Sequence, residues 1–476
     1  MELTPIVESV SNLHSNQINS PSQDTGLVSK DGYKKISSLT LYIPIDIDRV
    51  LIENPPDFRL ERDCFVYILH LINSIPARKR DIIESNNGYT PINRKFLQTR
   101  IQEYKKYIEY LKRVGVIEEN RQYTPGKSSM GLKFSEAHNL RINPVTISKW
   151  TLIKNIKYLN KNYNEELTEE LMYLKKWFNN KLEVDYEGGI NFLNELSNQE
   201  IREGNTQNLM LRYNSRLLPF IKLKNGECPF YVDNTGFRLH TNLTQMLSGL
   251  RKFIKYDGKT LCAIDICNSQ PYLAISLLDD EIFIKNNISN KITNPKLTND
   301  INFPIMLVEN IRNIKNAPDV LLFKENVSSG SFYENFGRLL VDNNLIENSE
   351  PSVLRNKAKE ITFSSIYSPN TSISYNEPMK LFKRQFPNVF KIFKLIKQGH
   401  NNHPAFSICL QRLEAELVLH KICKKISEIR PDVVLFSLHD SIITTEDNVD
   451  FVKSVMYNVL KENIGVAPNF KVERWE

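Results

Sequence analysis

The sequence predicts an α+β protein of two or three domains, for three reasons. The chain has 476 residues, enough for more than one core. Its second half contains short apolar runs beside turn residues, Thr260 to Ile264 and Val433 to Leu438, which read as buried strands. Other stretches carry residues at helical spacing, the most regular being Arg355-x3-Lys359-x3-Phe363-x3-Tyr367.

Composition narrows the class. Apolar residues make up 41% and charged residues 25%, as in an ordinary soluble globular protein. No apolar run of roughly 18 residues occurs, so neither a membrane span nor a membrane partner is expected. The N-terminus lacks the charged, apolar and small-residue series of a signal peptide. The cysteines at 64, 228, 262, 267, 409 and 423 form no CxxC pair. That argues against zinc and for a reduced, cytoplasmic setting. A net charge of +7 suits an anionic partner. The heavy use of Asn, Lys and Ile reads as codon bias of an AT-rich genome.

Residues 1–36 are rich in Ser, Asn and Gln and are expected to be a disordered tail. Residues 37–140 read as a small α+β module. Cys64 to Ile75 is an apolar helix, and Ile101, Tyr104, Ile108 and Leu111 recur at helical spacing. Gly115 stops that second helix as a C′ residue. Val116-Ile117 opens a strand that Arg121-Gln122-Tyr123 continues, Thr124 to Lys127 is a turn, and Gly131 to Phe134 is the returning strand. A helix followed by a basic hairpin resembles a winged helix, which sets a helix in the DNA major groove and the wing on the backbone. Arg94, Lys95, Arg100, Lys105, Lys106, Lys112 and Arg113 suit that use; a solvated face that merely carries charge is the alternative. Residues 141–230 read as mostly helical, with Trp150, Tyr158, Leu171, Trp177 and Phe192 as expected core.

Three blocks carry chemistry. Asp265 ends the apolar strand that follows the turn Asp257-Gly258, and Gln270 to Leu278 then packs as a helix. Its carboxylate either faces a cleft or caps that helix. In the second block, Arg355, Lys359, Phe363 and Tyr367 lie four apart. Each step turns a helix by about 400°, so all four share one face. Its cationic end suits phosphates, its aromatic end suits a base, and Lys359 is a candidate proton donor to leaving pyrophosphate. An amphipathic helix with core-facing aromatics is the plainer reading. In the third, His439-Asp440-Ser441 sits between apolar segments, as at a hairpin tip. Two magnesium ions about 4 Å apart need carboxylates from separate strands, and Asp265 and Asp440 are the natural pair. That equipment suits nucleotidyl transfer.

These blocks resemble family A DNA polymerases, the DNA polymerase I type, and more distantly the bacteriophage-type single-subunit RNA polymerases. The first block is similar to the family's first palm motif, with Asp265 as its metal-binding aspartate. The helix matches the fingers motif at Arg355, Lys359, Phe363 and Tyr367, and the hairpin matches the last palm motif at His439 and Asp440. Thr235 to Leu239 followed by Asn242-Leu243 is similar to the "TGRLSS…NLQ" stretch, with one extra residue. There Arg238 would contact the primer-template or the nucleotide. Gln411 to Leu417 resembles the "QGTAAD" helix, where Gln411 would touch template or primer. Pro468 to Trp475 resembles the final palm strand. The resemblance covers residues 235–476, about half of the chain.

The resemblance implies a right-hand polymerase behind the winged-helix-like module: a thumb-like region at 141–230, palm at 231–279, fingers at 280–402 and palm again at 403–476. It also implies a primer-template DNA partner, nucleoside triphosphates as substrates and two Mg2+ ions (or Mn2+) held by Asp265, Asp440 and the carbonyl of Ile266. Arg355 and Lys359 would hold the triphosphate, Phe363 and Tyr367 would shape the base pocket, and His439 would position the primer end. Gln270 stands where the DNA enzymes carry the Glu that blocks the ribose 2′-hydroxyl; a shift of one or two residues would put Pro271 or Tyr272 there instead. Ser441 gives the HDS of the RNA enzymes rather than HDE, and Ser368 replaces a Gly. No DxE block matches a proofreading exonuclease, Asp46-Ile47-Asp48 being the nearest approach.

The segment 280–350 is longer than its family counterpart. A helix is expected to start near Ser329 to Glu334, the Asn-rich stretch 286–300 to be a surface loop, and His400 and His403 to lie in a loop. The leading expectation is a compact DNA polymerase without editing, adding dNTPs to a primer 3′ end. An RNA polymerase or primer-making enzyme of the same palm family is the second reading. A catalytically inert DNA-binding replication protein is the third. Such an organisation would suit a plasmid, phage or other mobile genetic element.

Overall fold

A computed structural model describes residues 38–59, 61–120, 130–158, 163–292, 302–399 and 402–476. The tail expected at 1–36, the wing segment Arg121 to Lys127 and His400 lie outside the described residues.

In the N-terminal part, Leu39–Ile43 pairs antiparallel with Asn143–Ile147, so the core begun before residue 50 closes only after residue 140. The helix Arg62–Arg78 lies against this pair. Phe65, Ile68, Leu69 and Ile72 are fully buried along its inner stripe, at the helical spacing the sequence shows. The helix Tyr104–Arg113 ends at Gly115, whose φ is +72°. The N–H groups of Val116 and Gly115 donate back to the carbonyls of Leu111 (2.9 Å) and Lys112 (3.1 Å), a Schellman closure that needs a left-handed residue. Ile117–Glu119 then pairs with Gly131–Phe134, which also pairs with Thr90–Pro91.

Several cations of this module are engaged within it. Arg94 and Lys112 converge on Glu119, Lys106 pairs with Glu103, and Arg113 pairs with Asp57. Lys95 and Lys105 are exposed. Asp46 caps the helix Ile47–Glu53 and Asp48 is held by Arg62, which accounts for that DxD structurally.

The region after residue 145 contains the helices Trp150–Tyr158, Tyr186–Arg202 and Leu209–Lys224, with short strands between them. Leu171 is fully buried, and Trp177 and Phe192 pack against cores. Trp150 departs from the expectation: it is 38% exposed, because it opens its helix and Leu152 and Ile153 fill the core instead. The side chain of Tyr158 lies outside the described residues.

A six-stranded antiparallel sheet organises the second half. Its centre is Lys259–Ile266, reached through the hairpin turn Asp257-Gly258. Both turn residues have positive φ, +51° and +73°, as a two-residue type I′ turn demands. This strand pairs with Ser441–Thr445 on one side and Phe470–Arg474 on the other. Leu261, Cys262, Ala263 and Ile264 are buried, so the strand is covered on both faces. Asn268 takes a left-handed φ of +52° and launches the helix Ser269–Ala274, which tightens into a 3-10 turn over Ile275–Leu278.

Around the sheet, the helices Pro318–Ser328, Phe332–Asp342, Pro351–Tyr367, Glu377–Gln385 and Pro387–Ile396 share an aromatic core of Phe323, Phe332, Phe336, Phe382 and Phe393. The helix expected near Ser329 starts at Phe332, after Gly330 (φ +86°) has closed the preceding one. The surface loop expected at 286–300 is corrected over its described part. Asn286 and Ile288 are buried, and Asn286 donates to the carbonyl of Asn463 at 2.7 Å, because Ile288 and Ile292 fill the core.

Lys397 follows the Pro387–Ile396 helix and is only 2% exposed. Its ammonium donates to the carbonyls of Ser365 and Ser368, each at 3.0 Å, at the negative end of the Pro351–Tyr367 helix. Burial pulls the amine down to about 8. The unfolded chain therefore binds more protons above that pH, so this group adds stability as pH rises from about 8 towards 10.5. Denaturant unfolding of wild type and Lys397→Met should show a difference that grows by about 3 kcal/mol in favour of wild type across this window. A pH-independent difference would count against the buried amine.

Candidate active site

The second-half blocks meet at one cavity of about 260 Å³, lined by Asp265, Ile266, Gln270, Arg355, Lys359, Phe363 and Asp440, among others. Sheet register explains the carboxylate pair. Asp265 lies opposite Ser441, so Asp440, the last residue of the two-residue hairpin loop, stands beside it. The Ser441 hydroxyl donates to Asp265 Oδ1. Burial pushes the Asp440 carboxyl up; the neighbouring Ser269 hydroxyl pulls it down, and the negative charge of Asp265 raises it again. Two carboxylates sharing one site are relieved either by a facing cation or by protonation of one of them.

His439 occupies the first position of that hairpin loop with φ +56°, a conformation that favours glycine. The side chain is fixed there with Nδ1 buried and without a protein partner. Burial, with Arg238 and His240 nearby, lowers its imidazole to about 4, so it is neutral at physiological pH.

The helix Pro351–Tyr367 forms the opposite wall. Arg355, Lys359 and Phe363 all line the cavity, as their four-residue spacing predicts. Arg355 Nε donates to Glu334 at 2.9 Å, and its guanidinium lies 5.4 Å from the centre of the Tyr333 ring. Lys359 Nζ lies 5.5 Å from the centre of the Phe363 ring. Tyr367, one turn further, is directed to Gln270, and its hydroxyl donates to Gln270 Oε1 at 2.6 Å.

Gln270 and Arg238 meet at a residue that sequence reasoning missed. Glu414, on the helix Pro404–Ala415, is 1% exposed. It accepts from Arg238 Nε (2.9 Å) and Nη2 (3.0 Å) and from Gln270 Nε2 (2.8 Å). Burial pushes its carboxyl up to about 7, against the downward pull of Arg238. A signal was present: a lone carboxylate between Leu413 and Ala415 on an apolar helix. Lys471 and Tyr333 also line the cavity and were missed; Lys471 pairs with Asp265 across the sheet, a register no local pattern reveals. Gln411 does not line the cavity and lies against Gly236, where an added Cβ would stand 2.6 Å from its Oε1, so a larger residue there would shift the Gln411 amide.

Among the described residues, no group of three or more His, Cys, Asp or Glu side chains is placed to hold a metal ion; Asp265 and Asp440 are a pair. No described helix is long and apolar enough to cross a membrane.

No protein-family profile matches the chain, and no curated protein matches its sequence. Among solved structures, the chain is similar to the POL domain of Pol1 from M. smegmatis, solved in complex with DNA primer-template and dNTP. The identity is 10% and the TM-score 0.41, over 68% of this chain and 71% of that one.

Proposed function

We propose that this protein is a template-directed nucleotidyltransferase that adds deoxynucleotides to a primer 3′ end. The observation that carries it is the juxtaposition, across one cavity, of Asp265 and Asp440 with the Arg355–Lys359–Phe363 face of a helix. Two carboxylates, with a backbone carbonyl at Ile266, make an all-oxygen donor set, which suits Mg2+ or Mn2+. Asp265, Asp440 and the Ile266 carbonyl would hold the ions. Bound there, such ions lower the pKa of an attacking hydroxyl and neutralise the triphosphate.

The remaining work falls to protein groups. Arg355 forks onto phosphate oxygens, leaving Glu334 as the nucleotide enters. Lys359 holds the triphosphate and protonates the departing pyrophosphate. Phe363 offers a stacking face to the base. Gln270 and Tyr367 border the sugar. Neutral His439 positions the primer end without adding charge beside the carboxylates. Arg238 and Gln411 follow the primer-template. In this reading the sheet is the palm, the helices around Pro351–Tyr367 are the fingers, residues 141–230 act as the thumb, and the N-terminal part grips duplex DNA as a winged helix. The enzyme works without a proofreading exonuclease.

A second reading, RNA synthesis by the same machinery, is favoured by two positions: an amide rather than a carboxylate at Gln270, and a hydroxyl at Ser441 bonded to Asp265. Primer extension on DNA and RNA templates with dNTPs or NTPs separates the readings. Extension with dNTPs on DNA is the expected result. Faster extension with NTPs would transfer the assignment to RNA synthesis, and no incorporation under any condition would leave an inert DNA-binding protein.

A further inference from the structure

Gln270 is held by two unlike partners, and this fixes which way its amide points. Tyr367 donates to its oxygen at 2.6 Å, and its nitrogen donates to Glu414 at 2.8 Å. The reversed amide would set carbonyl oxygen against carboxylate. Both Glu414 oxygens accept N–H groups of Arg238, and one also accepts from Gln270. The three partners come from distant parts of the chain. The carboxylate is buried, whereas Gln270 lines the cavity and Tyr367 closes one end of the helix face.

We propose that Glu414 is the positioning residue for sugar selection: it locks the Gln270 amide onto Tyr367, making a rigid floor beneath the sugar of the incoming nucleoside triphosphate. This rests on the nucleotidyltransferase reading and names a residue through which that site tells deoxyribose from ribose. Glu414 touches no substrate; it acts through Gln270. Without the carboxylate the amide has two orientations of similar energy, and the floor softens.

The test is steady-state incorporation of one dNTP and its matching NTP by wild type and E414Q, an isosteric change that removes the charge. The ratio of the two kcat/KM values should shift at least tenfold in E414Q. In a Q270M background the same change at 414 should leave the ratio where Q270M alone puts it. Should E414Q fail to fold by thermal melting, Q270M alone decides, since Glu414 there keeps Arg238: its ratio must also shift at least tenfold. An unchanged ratio in folded E414Q, or in Q270M, overturns the proposal while leaving nucleotidyl transfer intact. If wild type itself incorporates neither nucleotide, the underlying reading falls and takes this inference with it.

Discussion

Asp440→Asn is expected to reduce primer extension by roughly a thousandfold or more, about 4 kcal/mol of transition-state stabilisation, while leaving the protein at least as stable as wild type. The two halves of this expectation have one cause. Asp440 is half-buried beside Asp265, and its carboxyl is pushed up by desolvation and by that neighbouring charge. At neutral pH its negative charge therefore costs the native state free energy. Asn has the same shape without the charge, so folding loses nothing and catalysis loses a ligand. A residue kept only for structure would show the opposite pattern, with stability lost and activity reduced in proportion to unfolded protein. Thermal melting and single-nucleotide extension, measured on the same preparation, distinguish them. Full activity in a folded Asp440→Asn protein would end the two-metal reading. Asp265→Asn should match it in activity, since Asp265 pairs with Ser441 across adjacent strands and so lines the same cavity beside Asp440.

Lys359→Ala should lower kcat by about 10²- to 10⁴-fold, the range expected for losing a general acid. Arg355→Ala should chiefly raise KM for the nucleotide, with a smaller effect on kcat. The split follows from geometry and chemistry. Lys359 is the inner cation, one turn before Phe363, and a lysine can give up a proton. Arg355 lies nearer the helix start, already donates a hydrogen bond to Glu334, and cannot deprotonate. Steady-state kinetics with varied nucleotide separate the two effects. Equal, small effects at both positions would mean that this face carries charge without holding a triphosphate.

Much of this architecture was legible locally. The four-residue ladder from Arg355 to Tyr367 shares a face because of helix geometry alone. The Asp257-Gly258 hairpin and the Gly115 helix stop follow from residues that accept positive φ. Even the placement of Asp265 and Asp440 at the ends of buried strands could be read from apolar runs next to polar tripeptides. Trp150 was misread because amphipathic spacing does not say which residue starts a helix outside the core.

What the chain encodes by itself is therefore each short-range choice: where a helix or strand runs, where it stops and which side chains share its face. Which faces meet was decided by the folded molecule. Glu414 reaches Gln270 across 144 positions of sequence and Arg238 across 176, and Lys397 reaches Ser365 across 32. A buried carboxylate or ammonium looks in sequence like any polar residue in an apolar helix. Its meaning comes from the partner that offsets its desolvation, and only packing brings that partner within hydrogen-bond distance.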